Sequence, residues 1–254
     1  MAKSKIRLDK LLLDLGYFDS RAKAQTCIMM NGVKIGGKVL NKAGEQIDES
    51  AFYQDFEANP EHIELADKLL PYVSRGAFKL KAAHENFDLD FKDKFVLDIG
   101  ASTGGFTDYA LQNGAKQVIA LDVGKGQLHY KLREDPRVIN LEGTNFRDWQ
   151  AIETKPDLIT IDVSFISLIT ILDRIKELYG VDMKVIALLK PQFEAGKTIM
   201  DKCKGVIRDE KIRTEVFSQT KEKIQALGYQ IKSELESPVK GAKGNIEYLL
   251  ELVL

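Results

Sequence analysis

FVLDIGASTGGFTD, residues 95–108, carries a strand, a turn and the start of a helix in one continuous reading. Phe95 to Ile99 is apolar apart from Asp98, as expected of a strand covered on both faces. Small residues follow from Gly100 to Gly105, and a helix is expected to open there and run to about Asn113. In a doubly wound sheet such a turn lies at the carboxyl end of the strands, where small residues let backbone come close to a ligand. The spacing is not GxGxxG, because Ser102 stands at the place of the second glycine. That counts against a dinucleotide, whose pyrophosphate needs cradling, and favours a cofactor without phosphate. Taken alone, the glycines also allow a tight turn with no ligand.

Outward from this stretch, apolar β-rich runs alternate with helical patterns: QVIALDV at 117–123, RVINLE at 137–142, DLITIDV at 157–163, KVIALLK at 184–190, YQIKSELE at 229–236 and IEYLLELVL at 246–254. Their continuity predicts an α/β, doubly wound, mainly parallel Rossmann-like sheet. The last two runs lie close together, so an antiparallel terminal strand is expected.

The second strand ends in Asp122, an acid able to accept both hydroxyls of a ribose in NAD or S-adenosylmethionine alike. Asp98 ahead of the glycines, the D-x-G-x-x-x-G-G arrangement, and Asp162 at the end of the fourth strand together resemble a class I methyltransferase. The resemblance implies S-adenosylmethionine as cofactor. It places Asp98, Gly100, Ser102 and Gly104 at the methionine end, Asp122 at the ribose, and Asn145 and Asp148 on the adenine side.

Residues 1–42 hold nine Lys or Arg against three Asp, whereas residues 43–67 hold eight acids and no Lys or Arg. A basic module of this kind suits a phosphate backbone, although a solvated charged face is the plainer alternative. Leu8, Leu11, Leu12 and Leu15 form one apolar stripe on a helix that Gly16 should end. Ser20 can cap a second helix from Arg21 to Met30, stopped at Asn31-Gly32, and Gly36-Gly37 mark a hairpin. Two helices and a hairpin, with Arg7, Asp9, Leu12, Ser20, Arg21, Ala24, Ile28, Gly32 and Val33 so placed, resemble the S4 RNA-binding domain. The domain is expected over residues 1–58, with a linker at 59–72. Arg7, Lys10, Arg21, Lys23, Lys34 and Lys38 are its candidate phosphate contacts.

The whole chain resembles the TlyA (haemolysin A) family, which joins an S4 domain to an FtsJ-like 2′-O-methyltransferase domain, here residues 73–254. The motifs are VSRGAFKL at 73–80, DIGASTGGFTD at 98–108, LDVGKGQL at 121–128, TIDVSFISL at 160–168, LLKPQFE at 188–194 and GNIEYLL at 244–250. Ala77 departs from the pattern, where a second glycine is expected beside Gly76. The resemblance implies ribosomal RNA or ribosomal subunits as partner, and a cytidine ribose as acceptor. It also carries a Lys-Asp-Lys-Glu tetrad to Lys79, Asp162, Lys190 and Glu247.

A ribose 2′-hydroxyl is a poor nucleophile until it loses its proton. Lys190, beside Pro191 at a strand end, is the expected base, because burial, Lys79 and a cationic sulfonium would each favour its neutral amine. Asp162 would oppose this in part while holding the lysine in line. Lys79 is expected to position the hydroxyl and Glu247 to orient a lysine. Singly, each reads more readily as a surface charge, a cap or a charged strand end; their joint placement in these motifs reverses that preference.

Competing functions carry less. No apolar stretch approaches the ~18 residues of a membrane span, and MAKSKIR does not lead into a signal-peptide core, so a soluble, cytoplasmic protein rather than a membrane-acting haemolysin is expected. A non-catalytic ribosome-assembly factor would not need the tetrad. A base methyltransferase would want a cysteine nucleophile or an Asn-Pro-Pro-Tyr-like motif, where this chain has Asp162-Val163-Ser164-Phe165. Cys27 and Cys203 read as buried free thiols, and His62, His84 and His129 lack ligand spacing, so no metal is expected. Trp149 reads as a packing residue, and Phe165 as a contact to the target nucleoside or a core aromatic.

Overall fold

The structure is a computed structural model and describes residues 5–15, 17–18, 20–58, 63–65, 72–150, 154–241 and 244–254; of residues 23, 30, 31, 54–58, 64 and 65 it describes the backbone alone. The chain divides into two compact units, 1–75 and 76–254.

The first unit runs β1 (Lys5–Arg7), α1 (Leu8–Asp14), α2 (Arg21–Asn31), β2 (Val33–Ile35), β3 (Lys38–Leu40), β4 (Gln46–Asp48), α3 (Glu49–Ala58) and β5 (Ile63–Leu65). Leu8, Leu11 and Leu12 bury the stripe of α1 against Ile28 of α2 and Val33 of β2, giving this unit its own core. Gly36 and Gly37, both at positive φ, turn β2 into β3. That tight turn needs residues free of a Cβ, as the hairpin reading required. β1 pairs with β4, and β5, inside the segment read as a linker, pairs antiparallel with β2. The expected stop at Gly16 lies outside the described residues.

The second unit opens with α4 (Gly76–Asn86), then alternates β6 (Phe95–Ile99), α5 (Gly105–Gln112), β7 (Gln117–Asp122), α6 (Tyr130–Arg133), β8 (Val138–Glu142), β9 (Leu158–Ile161), α7 (Leu168–Tyr179) and β10 (Lys184–Leu189). Short helices α8 (Pro191–Glu194) and α9 (Gly196–Cys203) follow, then the long α10 (Glu210–Ala226), β11 (Gln230–Glu236) and β12 (Tyr248–Val253). The strands form one seven-stranded sheet in the order β11-β12-β10-β9-β6-β7-β8. β6 to β10 are mutually parallel, and β12 runs antiparallel between β10 and β11. The doubly wound sheet with an antiparallel terminal strand is therefore as the runs predict.

β6 and β9 are buried along their whole length, which explains their unbroken apolar character. β11 lies at an edge and alternates exposed and half-buried residues. Helix packing adds a second layer: Ile171, Leu172 and Ile175 of α7 and Ile224 of α10 join the core formed by Leu97, Ile159 and Ala187.

Candidate active site

Strand order reverses between β6 and β9, since β7 and β8 lie to one side and β10 to the other. A cavity of about 460 Å³ opens at this switch point, on the carboxyl side of the strands. Gly100, Ser102, Asp122, Asn145 and Asp162 line it, with Val123, Phe146, Ile166 and Ile171 as apolar walls. Gly100 sits at φ +85, and a Cβ there would lie 2.7 Å from the Asp162 carbonyl oxygen, so only glycine lets the two loops meet. The Asp122 carboxylate accepts hydrogen bonds from Ser102 N at 2.9 Å and Gly124 N at 2.7 Å, which fixes it at the rim of the cavity.

Asp98, Gly104 and Asp148 are not among the lining residues. Asp98 is fully buried, its two oxygens accepting from Thr107 Oγ1 at 2.7 Å and Thr160 Oγ1 at 2.8 Å. Burial, set against those two donors and reinforced by the charge of Asp162, pushes its pKa up to about 6. Gly104, the N-cap of α5, is covered by Leu128 and Leu132.

Beside the cavity four charged side chains meet. Lys190 Nζ is 2.6 Å from Asp162 Oδ1, Lys79 Nζ is 3.6 Å from Asp162 Oδ2, and Lys79 Nζ is 2.8 Å from Glu247 Oε2. Register explains the meeting: Leu189 pairs with Tyr248 across β10 and β12, so Lys190 and Glu247 leave the sheet side by side. β9 runs parallel to β10, with Ile161 opposite Ala187, and brings Asp162 to the same rim. Lys79 comes from the first turns of α4. Lys79, Lys190 and Glu247 are buried, and Asp162 is partly exposed into the cavity.

Burial works against the charge of Lys79, yet Asp162 and Glu247 outweigh it and hold its pKa above the ordinary lysine value. Burial likewise works against ionised Asp162, and the two lysines hold it below the usual carboxylate range. The array can therefore keep both signs of charge in place out of bulk water.

Four residues that sequence reasoning did not assign extend this array. Gln192 Nε2 donates to Glu247 Oε1 at 3.2 Å, and Ser164 Oγ receives a hydrogen bond from Lys190 Nζ at 3.0 Å. Phe193 packs against Phe165 with ring centroids 5.1 Å apart, and Glu194 accepts from Ser167 Oγ and Leu168 N. All lie inside the TIDVSFISL and LLKPQFE runs, which was the available signal. Phe165 itself is 92% exposed and holds φ +65, a left-handed conformation that costs a non-glycine residue about 1 kcal/mol or more.

In the first unit, Asp9 is wholly buried and gathers two of the six candidate phosphate contacts. It accepts from Arg7 Nη2 at 2.8 Å, Arg21 Nη2 at 3.3 Å and Gln25 Nε2 at 2.6 Å. The hydrogen bonds from Arg7 are the largest influence holding its pKa well below the carboxylate range. Lys10 and Lys38 are exposed and Lys34 is half-buried, while the side chain of Lys23 lies outside the described residues.

The FtsJ-like methyltransferase model matches residues 72–253 and the S4 domain model residues 6–52. The chain is 45% identical over 99% of its length to the Bacillus subtilis protein named "Putative rRNA methyltransferase YqxC", covering 87% of that protein. It is 40% identical to the Campylobacter jejuni 23S rRNA (cytidine-2′-O)-methyltransferase TlyA, covering 90% of this chain and 92% of that one. The chain belongs to the TlyA (haemolysin A) family.

A solved structure from Streptococcus thermophilus that carries the hemolysin name matches this TlyA-family chain with a TM-score of 0.72 and 40% identity, covering 99% of this chain and 89% of that one. Aeropyrum pernix fibrillarin, solved with bound S-adenosyl-L-methionine, shares the fold at a TM-score of 0.50 and 14% identity, covering 70% of this chain and 76% of that one. The family makes this a methyltransferase. Among the described residues, no helix is long and apolar enough to cross a membrane, and no group of three or more His, Cys, Asp or Glu could hold a metal ion.

Proposed function

We propose that this protein methylates the 2′-hydroxyl of a cytidine ribose in ribosomal RNA, with S-adenosylmethionine as donor and the N-terminal unit gripping the RNA. The observation that carries the reading is the contiguous array Lys190–Asp162–Lys79–Glu247 at the edge of the cavity. TlyA relatives named as rRNA (cytidine-2′-O)-methyltransferases support the choice of substrate.

The cavity fits the donor by its chemistry. Asp122 presents a fixed carboxylate to a ribose diol, Phe146 and Ile171 offer apolar surface to a purine, and Asn145 supplies a polar side chain on the same wall. Leu128 and Leu132 lie against Gly104 at the start of α5, and Gly104 does not line the cavity. When bound, S-adenosylmethionine supplies an electrophilic methyl on a cationic sulfur.

Lys190 is the base of choice between the two lysines. Lys79 faces two carboxylates and keeps its proton, whereas Lys190 meets the carboxylate of Asp162, the Ser164 hydroxyl and the Phe193 ring. With its own proton given up to solvent, the Lys190 amine would be placed to take the 2′-proton as the sugar oxygen forms its bond to the methyl carbon and the carbon–sulfur bond breaks. Lys79, fixed by Glu247, holds the sugar oxygen by a charge-assisted hydrogen bond. Phe165 offers the target base a ring to stack on at the mouth of the cavity.

Incubation with tritiated S-adenosylmethionine and separated ribosomal subunits, followed by mapping of ribose methylation, tests the reading. A methyl on a cytidine 2′-oxygen is expected, and Lys190→Ala should abolish it while leaving donor binding intact. Label on a base, or full transfer by Lys190→Ala, would remove the mechanism.

A further inference from the structure

The segment after β9, Asp162–Leu168, and the segment after β10, Lys190–Glu194, are stitched together along their length. Lys190 meets Asp162 and Ser164, Phe193 meets Phe165, and Glu194 closes the row. Its Oε1 accepts from Leu168 N at 2.7 Å and its Oε2 from Ser167 Oγ at 2.6 Å. The proposed chemistry uses the first contacts and gives Glu194 no task.

Glu194 holds both ends of a short lever. Ser167 is the N-cap of α7, so the carboxylate sits against the positive end of a twelve-residue helix. On its own side, Pro191 starts α8, and hydrogen bonds from Phe193 N to Lys190 O and from Ala195 N to Pro191 O make one turn of Lys190–Glu194. Burial pushes its pKa up, while Ser167, Leu168 N and the charge of Lys223 favour the carboxylate. Phe165 lies between the two anchored ends in a conformation phenylalanine does not choose for itself, so the flanking anchors must impose it.

We propose that Glu194 is a positioning residue for methyl transfer: by gripping Ser167 Oγ and Leu168 N it sets the backbone that carries Phe165, and thereby the height of the target nucleoside above Lys190. The inference rests on the base role of Lys190 and the stacking role of Phe165 given above. Misplacement of reacting groups by about 1 Å lowers a rate by roughly 100-fold, so one loosened anchor has a measurable effect.

The test is a double-mutant cycle in the full-length protein, with tritiated S-adenosylmethionine and separated ribosomal subunits. Glu194→Gln keeps an acceptor for Leu168 N and loses one for Ser167 Oγ. It should lower kcat about 10-fold or more, with KM for subunits and Kd for the donor within about twofold of wild type. Combined with Phe165→Ala it should add little, because both changes remove the same placement. A kcat within twofold of wild type, or a double variant that loses the product of the two single effects, overturns the proposal. Should Glu194→Gln melt below the assay temperature, the same cycle with Ser167→Ala is read by the same criteria. Lys190→Ala in parallel separates the failures: full transfer in that variant removes the base assignment, while the Glu194–Phe165 coupling is still read on its own.

Discussion

Lys79 Nζ lies 2.8 Å from Glu247 Oε2, joining residues 168 positions apart. That contact divides the labour of the two lysines. It gives Lys79 a second carboxylate besides Asp162, the acid that Lys190 also meets. It also makes α4 and the start of β12 parts of one site.

Glu247→Gln should therefore act through Lys79. The amide keeps the shape and loses the charge, so a drop in kcat of about 100-fold is expected with donor affinity unchanged. The raised pKa of Lys79 keeps its ammonium present to higher pH than an ordinary lysine, and its loss on the alkaline side begins earlier once Glu247 is neutral. The alkaline limb of kcat should move to lower pH in the variant. An unmoved limb with wild-type kcat would detach Lys79 from the reaction.

Gly241 gives a second handle on the same carboxylate. A Cβ there would lie within the contact distance of Glu247 Oε1, so Gly241→Ala must displace the acid or the loop. The loop is held independently, since Asn245 bonds Ile207 N at 3.1 Å and Gly205 O at 3.1 Å. The variant should keep its melting temperature within a few degrees and lose most transfer. Wild-type kcat in Gly241→Ala would show that Glu247 has room to spare.

The legibility of the sequence divides along the same lines. β6, β7, β9 and β10 are readable as apolar runs because burial on both faces leaves few polar positions inside them, Asp98 and Thr160 among these. β1, β4 and β5 are three residues each, KIR, QID and IEL, too short for any period to show. Asp122 and Asp162 are visible as acids at strand ends, and the structure puts both at the cavity. Gln192 and Glu194 stand in a run that can be read, yet their partners are set by the pairing of Leu189 with Tyr248 and by the N-terminus of α7, which are tertiary facts. Asp98, read toward the methionine end, is instead enclosed by two threonine hydroxyls, because no local signal tells an inward acid from one facing a crevice.

Asp122 clasps both walls of the cavity mouth through Ser102 N and Gly124 N. Asp122→Ala removes the ribose acceptor and frees two backbone donors. Donor affinity should fall by about 100-fold, as for loss of a charged hydrogen-bonding group in a binding site. Calorimetric titration with S-adenosylmethionine measures it, and Lys190→Ala serves as the control that still binds. Equal affinities in wild type and Asp122→Ala would remove Asp122 from the cofactor site.

Asp9 poses a test in which charge and geometry predict opposite signs. Asp9→Asn removes one negative charge from the basic stretch 1–42, so electrostatics alone would tighten RNA binding. Its carboxylate holds Arg7 and Arg21 together, and the loss of that hold should instead weaken binding about 10-fold. Filter binding of ribosomal RNA at fixed salt decides the sign. Arg21→Lys, which leaves Arg7 and Gln25 on Asp9, should weaken binding without changing total charge. Tighter binding by Asp9→Asn would mean that the two arginines need no organiser.

Asp98 should leave its mark on stability rather than on charge balance. Its folded pKa of about 6 exceeds the unfolded carboxylate value, so between roughly pH 4 and 6 the folded state holds more protons than the unfolded. Stability from this group is therefore highest below the unfolded value and falls as pH rises through 6, by roughly 3 kcal/mol in all. Asp162, whose pKa is lowered, contributes in the opposite direction, so the wild-type curve alone mixes the two. Asp98→Asn isolates the effect of this carboxyl: its amide oxygen can accept from one threonine, and the other hydroxyl can turn to accept from the amide nitrogen. Urea unfolding followed by the single tryptophan, Trp149 beside Phe146, reads the unit that holds Asp98. The variant should gain stability relative to wild type as pH rises from 4 to 7. A difference between the two that stays constant over that range would mean that Asp98 is ionised at no cost to folding, and that its threonine donors fully offset its burial.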